Sequence, residues 1–578
     1  MQQRILLILS IAFLTPPGSI AQGLIIPSGA YLIANTGNIA LQSNWVNNGS
    51  FTHNGGTVLF TGTTQTLGGS STTTFNNITI GTSSATTITS SGQQLKGILQ
   101  SNNTLNANGN LTLLSTATQT AAIDGSGTGE VLGNLTMQRY LASGFGYKYF
   151  SAPFQSDTVG DFADAINLAT SFPDVYKYDE SQPTAGWVTY TTSSNTLTPL
   201  AGYAVNFGTS SAPLTVNLTG VVNNHTISAT LFNHNQTYTL GFNLAGNPYP
   251  SPIDWNSATG WTKTNIDNAI YFFSNGTTSQ YTGTYSSYIN GVSSNGIASN
   301  IVAAMQGFFI HVSNGSFPVT GLLSVNNNAR NTQPSVTFFG VNGSNDPPPL
   351  LRLHAGFSDD TTLADPVVIY LKPNAPTTFD KTLDALKLMN TRADVPSLYT
   401  ISTDNTKLSI QALPYPGGNL QVVPLGLVTA QDGWITFIAG ELRQAPAFAH
   451  IYLSDTQSGI DQDLSLNPSY SVHLTKGAYE NRFFLNFSPA VLSGTTTTPG
   501  GTFDAYNGGD ALMIRSDLPA GEKARLLVCS AAGQVLYRGE LNDNAWHTIP
   551  LTAAGVYIIS FNDGHETTTK KIFVGGHP

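Results

Sequence analysis

Few residues of this chain stand at spacings that chemistry requires. Asp455, Asp461 and Asp463 cluster around Gly459, and carboxylates gathered on one extracellular loop can hold calcium through oxygen ligands. A solvated hairpin turn gives the same spacing and is the favoured reading. Tyr281, Tyr285 and Tyr288, with Trp255 and Trp261 nearby, would form a platform for stacking on sugar rings if exposed. Aromatics more often stabilise cross-strand pairs or a core. Asp179-Glu180 is the adjacent acidic pair in an aromatic neighbourhood. The ~5–10 Å separation of carboxylates that glycoside hydrolysis needs is a tertiary property, so adjacency assigns no role.

Other constellations fail on spacing or context. The 10 histidines are scattered, with no His-Glu-x-x-His and no close pair, which argues against zinc. Gly125-Ser126-Gly127-Thr128-Gly129 has the letters of a nucleophile elbow, but it sits in a glycine-rich corner without the strand-to-helix context that motif requires. Cys529 alternates with its neighbours in an expected strand, as a small half-buried residue does. No Walker loop or dinucleotide fingerprint is present. No catalytic, cofactor-binding or metal-binding residue is assigned.

Composition says what must position any site. Only 9% of the 578 residues are charged, against roughly 25% in an average soluble protein. Gly, Ser, Thr and Asn fill the surface instead, which suits short strands joined by many turns. The 40% hydrophobic and 10% aromatic content supports packed cores rather than disorder. The length calls for several domains of ~100–200 residues each. A net charge of −10 without a basic stripe excludes nucleic acid as the expected partner. Cys529 stands alone, so stability rests on burial and sheet hydrogen bonds.

Residues 1–21 read as a signal peptide. Arg4 supplies the positive start, Ile5 to Leu14 an apolar run, and Ser19-Ile20-Ala21 small residues before a cleavage between Ala21 and Gln22. That run is shorter than the ~20 residues a bilayer span needs. No transmembrane segment is expected in the mature chain.

The expected fold is all-β and multidomain. Residues 22–140 carry Gly37-Asn38-Ile39-Ala40-Leu41, Asn76-Asn77-Ile78-Thr79-Ile80, Gly109-Asn110-Leu111-Thr112-Leu113 and Gly133-Asn134-Leu135-Thr136-Met137, each a turn feeding a short alternating strand. The steps from Ile39 to Ile78, Leu111 and Leu135 are 39, 33 and 24 residues. An irregular β-solenoid is the first choice and an irregular β-sandwich the alternative. Residues 141–328 read as a duplication. Tyr149-Phe150-Ser151-Ala152-Pro153 answers Leu244-Ala245-Gly246-Asn247-Pro248, and Asp174-Val175-Tyr176 answers Ala269-Ile270-Tyr271, both shifted by 95. Ala201-Gly202-Tyr203-Ala204-Val205 answers Gln306-Gly307-Phe308-Phe309-Ile310 after an insertion of ten. Residues 335–488 alternate as an antiparallel β-sandwich, 489–503 form a Ser, Thr, Gly and Pro linker, and 504–578 form a small Ig-like β-sandwich.

Two resemblances follow from particular residues. Gly241 to Pro250, with Ile253-Asp254-Trp255 and Gln306-Gly307-Phe308-Phe309, is similar to a segment common in large secreted proteins of Bacteroidetes-type bacteria. Phe379-Asp380 and Asp384-Ala385-Leu386-Lys387-Leu388 resemble a domain found upstream of sorting domains in the same bacteria. The terminal region has a turn at Gly533, a Gly555-Val556-Tyr557 strand and a closing Lys570-Lys571-Ile572-Phe573-Val574. It resembles the type A C-terminal sorting domain of type IX secretion, over about one eighth of the chain. It departs in having Asn507-Gly508-Gly509 where an Asn-Pro turn is usual, and in carrying Gly575 to Pro578 beyond the usual end. The resemblance implies export by the Sec machinery, recognition of the label by the type IX machinery, and removal by a sortase-like protease that attaches the passenger to anionic lipopolysaccharide.

Two functions are then expected, of different classes. The first is a secreted or outer-membrane-surface protein without enzymatic activity, adhesive or structural, with a glycan or matrix ligand. The alternative is a polysaccharide-active or carbohydrate-binding enzyme, by analogy of fold alone. Residues 23–122 contain Lys96 as their only Asp, Glu, Lys or Arg, and a solenoid enzyme would gather such groups on one face. That favours adhesion.

Overall fold

A computed structural model describes residues 23–574 except 171, 333–347, 358–362, 416–420, 444–447, 490–501, 508–510, 519–520, 531–533, 552–554 and 563–566. The described chain is all-β, with two short 3-10 turns and no α-helix among the described residues. No helix there is long and apolar enough to cross a membrane. Contacts divide the chain into Met1–Ala490 and Val491–Pro578.

The first unit begins as a β-solenoid of about five turns, with short strands stacked in parallel. Leu24 pairs Trp45 and Trp45 pairs Leu67 along one sheet, and Ile39 pairs Val58 and Val58 pairs Ile78 along another. Alternation points one side chain of each pair inward. Trp45, Phe60, Leu67, Phe75, Ile78, Leu95, Leu99 and Leu105 stack in the shaft, all at most 1% exposed. The abundant Asn residues have a specific task at the corners. Asn44, Asn48 and Asn77 each accept a backbone N–H from the following coil, at 2.8 to 2.9 Å, which satisfies donors the strands leave open. The stack ends where Leu135–Leu141 pairs antiparallel with Leu214–Gly220 from the next region.

The duplicated middle repeats one topology. In the first copy Tyr147–Ser151 pairs Gly202–Asn206, which pairs Val175–Tyr178. In the second, Phe242–Gly246 pairs Gly307–His311, which pairs Ile270–Asn275. Equivalent residues face each other: Ser151 lies opposite Gly202 as Gly246 lies opposite Gly307, and Tyr176 opposite Ala204 as Tyr271 opposite Phe309.

These sheets are buried on both faces, which explains their near-continuous apolar sequence. Phe150, Val175, Tyr203 and Val205 join the solenoid core. Tyr147, Tyr149 and Ala204, on the other face, meet Phe242, Leu244, Tyr271, Phe273 and Phe309. Beyond them Ala245, Ile270, Phe272, Phe308 and Ile310 form a further core with Tyr249 and Trp255.

The region from Leu350 to Pro489 is an eleven-stranded sheet that curls on itself. Its edge strands, Ile460–Asp463 and Ser469–Leu474, are successive in the chain. It is antiparallel apart from one pair, Ala364–Leu371 with Lys407–Leu413. Leu351, Leu353, Val367, Ile369 and Leu371 fill its own interior. The alternate residues Leu350, Val368, Tyr370, Ile410 and Ala412 pack into the core of the duplicated region. Cores therefore run across the sequence boundaries near 140 and 335, and these regions share interiors.

Within the second unit, two sheets of three and four strands pack together. Phe503, Leu512, Ile514, Leu526, Val528, Ile549, Tyr557, Ile559 and Phe561 form its core. Its first strand, Thr502–Asn507, starts at Thr502.

Candidate functional site

The sugar-ring platform expected at Tyr281, Tyr285 and Tyr288 does not assemble. Tyr285 and Tyr288 lie three apart in the strand Gly283–Ile289 and so point to opposite faces. Tyr288 is 4% exposed and accepts hydrogen bonds from Asn256 Nδ2 and the Gly291 amide. The Tyr285 hydroxyl is 2.9 Å from that of Tyr149 within the shared core. Only Tyr281 is exposed, resting on Phe172. Trp255 is 1% exposed and packs on Trp261. A strand buried on both faces leaves no outward aromatic row.

The three aspartates near Gly459 also separate. Asp455 lies buried against the bidentate Arg482 guanidinium, at 2.8 and 2.8 Å, and the Tyr470 hydroxyl. Burial alone would raise its pKa, yet the hydrogen bonds from Arg482 and Tyr470 hold it well below the usual carboxylate range. Asp461 bonds Ser454, and Asp463 lies 2.6 Å from His450 Nδ1. Each carboxylate has its own partner, and no group of three potential metal ligands occurs among the described residues.

The glycines of Gly125 to Gly129 serve close stacking. A Cβ at Gly127 would lie 2.1 Å from the Ser101 carbonyl oxygen, and one at Gly129 1.7 Å from that of Asn103. His311, Asp267 and Ser313 have the composition of a hydrolytic triad in the wrong order. Asp267 stands in the middle, 2.5 Å from His311 Nδ1 and 2.7 Å from Ser313 Oγ. The serine bonds the carboxylate rather than the imidazole, so the group ties strands together.

Asp179 and Glu180 do reach a cleft. An open depression of about 500 Å³ lies between Lys177 to Ser181 on one side and Thr230, Leu231, Phe232 and His234 on the other, with Asn243 in its lining. That volume is within the range of small-molecule sites, about 300–1,000 Å³. Its far wall belongs to Ile227–Asn233, an edge strand of a three-stranded sheet. Alternation puts Leu231 toward the core and Thr230 and Phe232 outward. Phe232 is 41% exposed, and its ring centroid is 5.6 Å from that of His234.

Glu180 fixes that histidine. Its side chain is 3% exposed and accepts from the His234 amide at 2.9 Å through Oε1 and from His234 Nδ1 at 2.6 Å through Oε2. The Thr239 hydroxyl donates to the Glu180 carbonyl at 2.7 Å. A carboxylate facing Nδ1 places a proton there and fixes the ring, so that Nε2 of the one-third exposed imidazole is the hydrogen-bonding atom that Glu180 does not engage. Asp179 accepts from Ser181 Oγ at 2.7 Å and Gln182 Nε2 at 2.9 Å. Burial pushes its pKa up, but these bonds and nearby Lys177 outweigh it and hold the carboxyl low. Such a group accepts hydrogen bonds and does not have the raised pKa of the general acid that glycoside hydrolysis pairs with an ionised carboxylate.

Sequence reasoning missed Phe232 and His234. The alternation of Thr230, Phe232 and His234 was the available signal, but nothing local links His234 to Glu180, 54 positions away. Of the terminal signature, Gly555, Val556 and Tyr557 lie in the strand Gly555–Asn562, and Lys570 and Lys571 in Thr567–Val574. Lys570 Nζ donates to the Phe503 carbonyl at 2.6 Å and Lys571 is exposed. Cys529 is a half-buried strand residue. Gly533, Ala21 and Gln22 lie outside the described residues.

A family described as Domain of unknown function (DUF8693) matches residues 35–487. No curated protein matches the chain at a significant level. Among solved structures, the crystal structure of Ruminococcus gnavus beta-glucuronidase aligns at 10% identity and a TM-score of 0.11, over 25% of this chain and 36% of that one. The chain thus spans about a third of that enzyme's length. A structure described as a biofilm associated protein, BSP domain, aligns at 9% identity and a TM-score of 0.12, over 77% of this chain and 93% of that one. At these scores neither likeness bears on fold or function.

Proposed function

Because the chain belongs to the DUF8693 family, whose description assigns no chemistry, we propose a role from its own residues: an exported surface or extracellular protein, adhesive or structural rather than enzymatic. The observation that carries this reading is the nearly uncharged exterior of the solenoid's first coils. Between residues 23 and 122 the only charged side chain is Lys96, and the sheets turn hydroxyl and amide groups outward, as where Thr74 Oγ1 donates to Gln94 at 2.9 Å. A repetitive polar surface without acid or base groups suits binding to a glycan or matrix, or service as a stalk, better than bond cleavage.

In this reading the sandwich from Thr502 onward is the export label, read by type IX secretion machinery and removed by a sortase-like protease. Fusing residues 502–578, which keep the first strand and the core residue Phe503, to a fluorescent passenger in a type-IX-competent host should place fluorescence outside the cell; periplasmic retention would sink this part. The role itself is tested by a glycan and matrix array with residues 22–503. Binding without product release is expected, and release of reducing ends from a polysaccharide panel would reverse the ranking toward a polysaccharide-active enzyme.

A further inference from the structure

We infer that the cleft between Lys177–Ser181 and Thr230–His234 is a saccharide-binding site selective for neutral hexopyranose units. The inference rests on the proposed adhesive role and names the ligand class for it. A pyranose ring offers an apolar C–H face on one side and a rim of hydroxyls able to donate and accept. The cleft offers the complement of both.

For the apolar face, the Phe232 ring stands on the outward side of an edge strand, 41% exposed and braced by the His234 ring at 5.6 Å. A large apolar side chain held at the rim of a polar depression contributes nothing to a core, and it is placed where a ring can stack on it. For the hydroxyl rim, His234 Nε2 is a hydrogen-bonding atom whose direction is set by the two bonds from His234 to Glu180, and a sugar hydroxyl can meet it as donor or acceptor. Asp179 is an acceptor, fixed by Ser181 and Gln182. Lys177, which lies 5.4 Å from the Tyr190 ring, and the Thr230 hydroxyl are donors in the lining. Groups already oriented by internal partners lose little entropy when a ligand hydroxyl arrives.

Charge decides between neutral and acidic sugars. Asp179 and Glu180 stand against one ammonium, Lys177, and one imidazole already engaged by Glu180. A uronate or sulfated sugar would meet the Asp179 carboxylate without a free guanidinium or ammonium pair to compensate it. The volume of about 500 Å³ accommodates a short oligosaccharide rather than an extended chain.

The test uses the full-length protein titrated with cellotetraose, maltotetraose, mannotetraose and tetragalacturonate, by calorimetry and by NMR of the sugar. One or more of the neutral tetrasaccharides should bind, and tetragalacturonate should bind at least about tenfold more weakly. Phe232→Ala and His234→Ala should each weaken the neutral sugar about tenfold or more, while Phe232→Tyr, which keeps the ring, should stay within about threefold. Trp434→Ala, at an aromatic 62% exposed in the curled sheet, should change nothing. Circular dichroism shows that the variants are folded. Neutral-sugar binding untouched by Phe232→Ala and His234→Ala, or a preference for tetragalacturonate, overturns the site and leaves the adhesive role standing. Binding to matrix proteins but to none of the four sugars does the same, and failure to bind any glycan or matrix component overturns both.

Discussion

Phe150 and Gln306 form an isolated β-bridge, and Ala201 and Ala245 form a second. The duplication maps Phe150 onto Ala245 and Ala201 onto Gln306, so the two bridges are one contact seen from each copy. The copies meet about a pseudo-two-fold axis, with the self-complementary logic of a symmetric dimer built into one chain. Ser151 Oγ donates to the Asn247 carbonyl at 2.7 Å beside this axis, and the Gly246 amide donates to the Leu200 carbonyl at 3.0 Å.

That close approach makes glycine obligatory at two places. A Cβ on Gly246 would lie 2.2 Å from Ser151 Cβ and 2.8 Å from the Ala201 oxygen, and one on Gly202 2.5 Å from the Ala245 oxygen. Neither neighbour is the free end of a flexible side chain. Gly246→Ala and Gly202→Ala should each lower stability by about 1–3 kcal/mol or more. Gly37→Ala, with nothing within 4 Å, should be near neutral. Urea unfolding midpoints check the contrast.

The Gly-Asn-Pro-Tyr run after this glycine is a structural device. Asn247 is 0% exposed; its Nδ2 faces the carbonyls of Ser251, Val302 and Ala303 at 2.8, 3.2 and 3.0 Å, and its Oδ1 accepts from the Tyr249 amide at 3.0 Å. Asn247→Asp has nearly the same shape but turns oxygen toward three carbonyl oxygens. The expected loss is about 2–4 kcal/mol at neutral pH, shrinking on acidification as the new carboxyl gains a proton. Thermal melts between pH 4 and 8 would show it, and a pH-independent difference would refute the account.

The sequence spoke clearly where a side chain's neighbours are close in the chain or repeat at a fixed offset. The offset of 95 that links Tyr176 to Tyr271 marks the same strand in both copies, since Tyr176 faces Ala204 as Tyr271 faces Phe309. The solenoid is harder to read because its similar runs lie on different faces. Ile39 and Ile78 belong to one sheet, two coils apart through Val58, whereas Leu111 and Leu135 belong to another. The coil length, 19 from Ile39 to Val58 and 20 from Val58 to Ile78, was hidden in the drift. Tyr285 and Tyr288 misled for a different reason: alternation says that they face opposite ways, but not that both faces are covered. Glu180 and His234 meet only in the folded chain.

Asp157 should make the fold sensitive to pH. It is 2% exposed, its Oδ2 has no hydrogen-bond partner among the described residues, and burial followed by repulsion from Asp161 pushes its pKa up to about 7. The folded state therefore holds this proton more tightly than the unfolded chain, whose carboxyl titrates near 3.8. Its favourable contribution is complete below the unfolded value and is lost as pH rises toward about 7. Asp157→Asn removes the titration and should raise stability above neutrality by roughly 1–3 kcal/mol, because the buried charge that forms there and its repulsion by Asp161 are gone. The variant's advantage in melting temperature should grow between pH 4 and 8; a constant advantage would contradict this assignment.

Lys387 and Asp365 form a buried ion pair whose side chains are 2% and 1% exposed. The same Asp365 oxygen also accepts from the Leu398 amide at 2.6 Å. Burial raises the Asp365 pKa, and Lys387 opposes that rise. Lys387→Met removes the opposing charge and should cost about 3–5 kcal/mol, because the carboxylate stays buried and uncompensated. Adding Asp365→Asn removes that charge while keeping an acceptor for the Leu398 amide, so the double variant should recover most of the loss. Acid should also rescue the single variant, since a carboxyl with a raised pKa gains its proton early as pH falls. A double-mutant cycle by urea unfolding at pH 5 and pH 8 measures both effects. Additive losses, or a single-variant defect equal at the two pH values, would mean that the pair does not carry the coupling that its geometry implies.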